Sequence, residues 1–291
     1  MQITEKRSFR DRLRGLFLLG HPLPVLLHVI AVTLFVLLAA WSRLVWPVVL
    51  LVVGAHSAMQ LAIAMLNDYC DREIDAVGKP EKPIPRGLVT PPEALIAGCT
   101  MIALMLVLLL PLPPLAWLLS LAYLALAMAY NLGLKSTPFS GVVFALAMPL
   151  IPLYAFAGVG RSLPFLFWLV PVGFLLGVSL NLANSLPDLE EDAAGGARTL
   201  AVVLGLRRSF VVATLLIVLA ALLILSLDIS DMLRVQPVVL VAMLAVAGGL
   251  LAAGLACAGP EKARQTRKLF FYLVTLACLA LAGGWFLGVL I

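Results

Sequence analysis

Residues 44–75 read LVWPVVLLVVGAHSAMQLAIAMLNDYCDREID. From Leu44 to Leu66 there is no Asp, Glu, Lys or Arg. At roughly 1.5 Å per residue, that run can cross about 30 Å of hydrocarbon as a helix with its backbone groups paired internally. It passes directly into Asn67-Asp68-Tyr69-Cys70-Asp71-Arg72-Glu73-Ile74-Asp75. An apolar helix is therefore expected to end in a column of carboxylates at the edge of a membrane.

The remainder of the chain repeats the apolar half of that pattern. Of 291 residues, 63% are hydrophobic and 12% charged, with a mean hydropathy of +1.11, against roughly 45–50% and about 25% in soluble domains. A soluble enzyme, a disordered chain and a coiled coil are excluded. Nine spans are predicted: Pro22–Ala40, Leu44–Leu66, Ala94–Leu110, Leu115–Tyr130, Phe139–Val159, Leu163–Ser185, Phe210–Leu227, Pro237–Ala258 and Leu269–Leu290. Pro111-Leu112-Pro113-Pro114 turns the third and fourth into a hairpin. The expected fold is an all-α integral membrane protein, one transmembrane domain over residues 1–291. Cys70, Cys99, Cys257 and Cys278 are dispersed and read as small buried hydrophobes, with no disulfide framework or zinc site implied.

Basic residues orient the spans. With the N-terminus in the cytoplasm, the arm over residues 1–21 (Lys6, Arg7, Arg10, Arg12, Arg14) and the even-numbered links hold every Lys and Arg except Arg43, Arg161 and Arg234. The net charge of +5 then reports orientation and contact with anionic membrane lipids, and implies no nucleic acid. If the first run were a signal peptide cleaved near Ala39-Ala40, eight spans would remain.

Acidic residues gather in two even links. Asn67-x3-Asp71-x3-Asp75 ends the second span and Asn184-x3-Asp188-x3-Asp192 ends the sixth. Residues four apart share a helix face, so each copy offers a column of oxygens. Bare carboxylates so gathered would repel one another, which makes a divalent cation the natural counterion. Hard oxygen donors select Mg²⁺ or a relative, with positions left open for a substrate phosphate. A solvated acidic loop would explain one such copy, but two with the same leading Asn on one side of the membrane weigh against it.

His56 and Gln60 fall within roughly 60° of Asn67 and Asp71 around the second span, and Asn181 and Asn184 share a face with Asp188 and Asp192 in the sixth. These deeper polar residues line a pocket or bond helix to helix, and both readings stand. Cations adjoin the acids: Lys79–Gly87 is stiffened by prolines, Arg72 lies within the first copy, Lys135 is the only charge of its link, and Arg198 follows Gly195-Gly196. Metals with converging Lys and Arg suit a polyanion such as diphosphate.

The residues resemble the UbiA-type intramembrane prenyltransferase superfamily. The resemblance rests on Asn67 to Asp75 followed by Lys82-Pro83-Ile84-Pro85-Arg86-Gly87, on Asp188-Leu189-Glu190-Glu191-Asp192 followed by Gly195-Gly196 and Arg198-Thr199-Leu200, and on Tyr130-Asn131-Leu132-Gly133-Leu134-Lys135. It implies nine helices around a central cavity, capped on the cytoplasmic side by links 67–93 and 186–209. By carry-over, Asn67, Asp71, Asp188 and Asp192 would hold two Mg²⁺ on an isoprenyl diphosphate, with Asp75 a further ligand. Arg72, Lys135 and Arg198 would bind the diphosphate, and Tyr130 would lie over the developing carbocation or near the acceptor. Gly20-His21-Pro22 departs from the family pattern and supplies no strong acceptor-binding cation.

The activity so implied is Mg²⁺-dependent transfer of an isoprenyl group from a prenyl diphosphate to a lipophilic or aromatic acceptor, in the plasma membrane of a prokaryote with the active site facing the cytoplasm. Two alternatives are a cation-coupled transporter, whose acids belong near the bilayer midplane, and a non-catalytic isoprenoid-binding protein.

Overall fold

The computed structural model describes residues 8–162, 164–257 and 264–290. Lys6, Arg7 and Lys262, and the predicted span ends at Leu163 and Ala258, lie outside the described residues. Thirteen α-helices follow in order among the described residues, with no strand: α1 (Phe9–Leu19), α2 (Pro22–Ala40), α3 (Trp46–Gly78), α4 (Pro91–Leu109), α5 (Pro114–Asn131), α6 (Ser140–Ala147), α7 (Leu150–Gly158), α8 (Leu169–Ser185), α9 (Leu189–Ala194), α10 (Leu200–Leu204), α11 (Leu206–Ile229), α12 (Pro237–Cys257) and α13 (Arg264–Leu290). Among the described residues, nine helical segments are long and apolar enough to cross a membrane, in agreement with the sequence reading. The fifth is divided into α6 and α7 at Met148-Pro149, where the proline ring offers no N–H and crowds the carbonyl four residues back.

The chain forms two compact units. Unit 1 comprises residues 1–132 and 150–162, and unit 2 comprises residues 133–149 and 163–291.

In unit 1, α3 packs on α4 and α2, while α7 packs on α2 and α5. Prolines open α2, α3, α4 and α5, where the missing N–H leaves no intrahelical bond unmade. Thr90 caps α4: Glu93 N–H donates to its hydroxyl and its own N–H donates to the Glu93 carboxylate at 2.7 Å. Toward the end of α3, Gly98 lets α4 approach; a Cβ there would stand 2.7 Å from Leu66. The α1 helix sits over this end, with Leu19, Met65, Val89 and Ala94 in one buried cluster.

In unit 2, α12 and α13 form a hairpin and α8 packs against α11, α6 and α13. At Gly177 a Cβ would lie 2.5 Å from the Ala145 Cα, so α6 and α8 touch backbone to backbone. Trp285 and Phe286 pack edge-on to Phe165. In both units large apolar side chains also point outward, among them Ile96, Val107, Leu222 and Val241, as expected of helices whose solvent is lipid.

Candidate functional site

The 33 residues of α3 make a helix about 50 Å long, some 20 Å more than the hydrocarbon it crosses. The acidic motif occupies the overhang as unbroken α-helix, and its register divides the motif between two faces. Asp68 and Asp75 face inward, 2% and 4% exposed. Asn67 and Asp71 lie half-buried on the adjacent face.

The inward face is an ionic clamp. Lys82 Nζ donates to Asp68 Oδ1 at 2.8 Å and to Asp75 Oδ2 at 2.7 Å, and His21 Nε2 stands 3.0 Å from Asp68 Oδ1. Burial alone would lower the Lys82 pKa, but its hydrogen bonds to the two carboxylates, with their charges, outweigh that and hold it above the ordinary lysine value. The clamp folds the Lys79–Gly87 segment back onto α3. His21 reaches it from the α1–α2 junction with a backbone φ of 45°. Asp75, expected as a further metal ligand, accepts from the Lys82 ammonium through Oδ2. The one residue in Gly20-His21-Pro22 with a polar side chain has a definite partner, which is not visible from its own neighbourhood in sequence.

The half-buried face carries Asn67 and Asp71. Asn67 Nδ2 donates to Asn131 Oδ1 at 3.0 Å, and Asn131 Nδ2 to the Ile63 carbonyl at 3.1 Å. With its amide nitrogen so occupied, Asn67 turns its carbonyl oxygen away from Asn131. Tyr130 is half-buried on the last turn of α5, next to Asn131. Arg72 folds back on its own helix, donating to the Tyr69 carbonyl at 2.8 Å with its guanidinium over the Tyr69 ring.

His56 and Gln60 lie deeper along α3. They are buried, with Gln60 Nε2 3.2 Å from His56 Nε2. The His56 ring packs among His28, Tyr123 and Tyr154 of α2, α5 and α7. Tyr154 in turn donates its hydroxyl to the Val52 carbonyl at 2.8 Å. The hydrogen bond between His56 and Gln60 lies within α3, and the His56 ring makes its contacts to the other helices.

In unit 2 the second motif differs from the continuous column expected. The α8 helix stops at Ser185, and Leu186–Asp188 form a 3-10 turn before α9, because Pro187 cannot donate within a continuing α-helix. Asn181 is buried, accepting from the Ser140 hydroxyl at 3.3 Å. Asn184 and Asp188 are exposed and Asp192 half-buried. Two arginines of α13, absent from the sequence-based site, engage this motif. Arg264 pairs with Asp188 and lies 2.6 Å from Glu191 Oε1, and Arg267 Nη1 lies 2.6 Å from Glu190 Oε2.

The expected diphosphate-binding cations of this unit come together with the motif through the backbone. Ala197 N–H donates to the Asp192 carbonyl at 2.9 Å, and Arg198 N–H to the Ser136 carbonyl at 2.8 Å. The second bond fixes Arg198 beside the 3-10 turn that carries Lys135.

Within either unit, the described His, Cys, Asp and Glu side chains form no group of three that could hold a metal. Asn67 and Asp71 in unit 1, and Asp188 and Asp192 in unit 2, carry hard oxygens of the type that suits Mg²⁺.

The UbiA prenyltransferase family model matches residues 28–276. The digeranylgeranylglyceryl phosphate synthase of Natronomonas pharaonis is 38% identical over 160 residues, covering 54% of this chain and 57% of that protein. The enzyme of the same name from Methanoregula boonei is 30% identical over 208 residues, covering 69% and 72%. The chain spans little more than half the length of the first of these. Among solved structures, one described as bearing on digeranylgeranylglyceryl phosphate synthase in membranes superposes with a TM-score of 0.77 at 20% identity, covering 96% of this chain and 99% of that one. A homologue from Archaeoglobus fulgidus bound to DMAPP and Mg²⁺ gives 0.74 at 16% identity, covering 93% and 98%. These two show the fold.

Proposed function

Because the chain belongs to the UbiA prenyltransferase family, we propose that this integral membrane protein transfers an isoprenyl group from a prenyl diphosphate to a lipophilic acceptor. The names of its relatives favour a geranylgeranyl donor and a glycerophosphate lipid acceptor over an aromatic one. The proposal takes residues 1–291 as one catalytic domain, its N-terminus and the links 67–93 and 186–209 on the cytoplasmic side of a prokaryotic plasma membrane. The observation that supports the reading is the Arg198–Ser136 backbone bond, which ties the segment bearing Arg198, just after the second acidic motif, to the turn bearing Lys135.

Asn67 and Asp71 in unit 1, and Asp188 and Asp192 in unit 2, would supply hard oxygens for Mg²⁺. The bound metal would neutralise charge developing on the departing diphosphate. Lys135 and Arg198 in unit 2, and Arg72 in unit 1, would donate to diphosphate oxygens. The allylic cation formed on ionisation is short-lived in water, so the surrounding apolar helices serve to exclude it. Tyr130 places a π-face near that cation. Asn184, one turn before Asp188, is assigned to substrate binding, and His56 and Gln60 to positioning α3 from within unit 1. Asp68 and Asp75 stay with Lys82 throughout.

The test uses membranes, labelled geranylgeranyl diphosphate, extracted lipid and Mg²⁺. Label should pass to a new lipid, and the transfer should stop with EDTA and fall by about 10²–10³ in Asp71→Ala and Asp188→Ala. Wild-type turnover by either variant overturns the assignment. Tight binding without product would identify a non-catalytic isoprenoid binder instead.

A further inference from the structure

Three arginines, Arg43, Arg161 and Arg234, are left over when the other basic residues are sorted to the acidic-motif side of the membrane. Arg234 is accounted for by its pairing with Asp231, with Nη2 3.1 Å from Oδ2. Arg43 and Arg161 both line one cavity of about 390 Å³ in unit 1, formed where α2 ends, α3 begins and α7 ends. No carboxylate lines it. Among the described residues, neither arginine forms an ion pair. The corresponding cavity that Arg234 lines in unit 2 includes Asp228 and Asp231, so the uncompensated positive charge is particular to unit 1.

The Arg161 side of the cavity is built rigidly. Gly160, at φ +70°, ends α7 in a left-handed turn, with Gly160 N–H donating to the Ala157 carbonyl at 3.0 Å and Arg161 N–H to the Phe156 carbonyl at 2.9 Å. That paired closure fixes where the arginine leaves the helix. Its Nη1 donates to the Ala39 carbonyl at 2.9 Å. This bond satisfies one end group of α2 and uses one of the guanidinium's five N–H donors. The rest remain for a ligand, as does the Arg43 guanidinium across the cavity. The depth is marked by Trp41 and Trp46, 84% and 58% exposed at the same end, as tryptophans are at the headgroup level. Asp71 lies about 38 Å away along α3, so this cavity is separate from the acidic motif.

We propose that Arg43 and Arg161 bind the phosphate of an anionic membrane lipid, held at the end of unit 1 opposite its acidic motif. Two guanidiniums can grip one phosphate through several charge-assisted bonds. An acyl or isoprenyl chain of the same lipid can lie along the outward apolar face of α2, where Leu34 is 57% exposed.

The test is native mass spectrometry of the full chain in detergent with phosphatidylglycerol or phosphatidylcholine added. Phosphatidylglycerol should be retained preferentially. Arg43→Gln and Arg161→Gln should each lower its retention about fivefold, and together about twenty-five-fold, at roughly 1 kcal/mol per basic group near a lipid surface. Arg234→Gln should leave it unchanged, and Arg161→Lys should keep most of it. Arg43→Gln disturbs no side-chain bond, so it still decides the matter if Arg161→Gln fails to fold. Equal retention of both lipids, or unchanged retention in the double variant, overturns the proposal. Displacement of the lipid by millimolar inorganic phosphate would reassign the cavity to a soluble anion and overturn it also. The readout is lipid retention without turnover, so it stands or falls separately from the prenyltransferase reading.

Discussion

The two acidic motifs share one spacing but present it differently. In the first, an unbroken helix turns Asp68 and Asp75 inward to Lys82 and His21 and leaves Asn67 and Asp71 on a half-buried face. In the second, Pro187 interrupts the helix, Asp188 is exposed, and the compensating charges are the exposed or half-buried arginines of α13. The first motif therefore combines a structural clamp with a pair of candidate ligands. In the second, every carboxylate stays within reach of solvent, and its counter-charges can exchange with a cation.

Substitutions should separate these two arrangements, and the clamp should show the largest effect. Lys82→Met leaves two buried carboxylates without a cation, for which a loss of about 3–5 kcal/mol is expected, read as a drop in thermal midpoint in detergent. Adding Asp68→Asn and Asp75→Asn should recover most of that loss; no recovery would show that the clamp is not its source. Because the folded pKa of Lys82 is raised, its stabilisation is complete below the ordinary lysine value and fades as pH rises through the higher folded value. Melting curves should therefore be flat through neutrality and fall only in strong alkali.

Next come the candidate metal ligands. Asp71→Ala and Asp188→Ala should each cut transfer by about 10²–10³ with the melting point nearly kept, the scale of removing one group that stabilises developing charge. Asp75→Asn should instead lower stability and leave the Mg²⁺ requirement of the remaining activity unchanged. A shifted Mg²⁺ requirement would return Asp75 to the ligand set.

Smaller again, His21→Ala should cost about 1–2 kcal/mol of stability, one hydrogen bond to a buried charged group. Smallest, Arg264→Gln should lower the Mg²⁺ concentration for half-maximal transfer only modestly, because an exposed, solvent-screened pair contributes little to holding Asp188. No change in that concentration would mean that Arg264 does not compete with the cation.

The nine spans were legible because each is an apolar run of sufficient length, a property of consecutive residues. Fold and membrane class followed from that. The division of the first motif was not legible, because it depends on Lys82, which arrives through the folding of a proline-rich segment, and on His21, 47 residues away. Arg264 and Arg267 were hidden for a related reason: side preference at the membrane accounts for basic residues in that link without any partner. Pro187 was readable. Its place between Asn184 and Asp188 signals a break in the helix, although the two copies share the same spacing. Asn131 likewise stood within the quoted tyrosine–lysine element, but only the fold shows it orienting Asn67.

His21 occupies a left-handed backbone conformation, uncommon for any residue but glycine, and the same residue touches Asp68. The hinge between the surface helix and the first span is thereby keyed to the interior of the second. A single-residue insertion or deletion anywhere from Gly20 to Pro22 would change the phase of that hinge and withdraw the imidazole from the carboxylate, so the length of this junction is constrained as tightly as its composition.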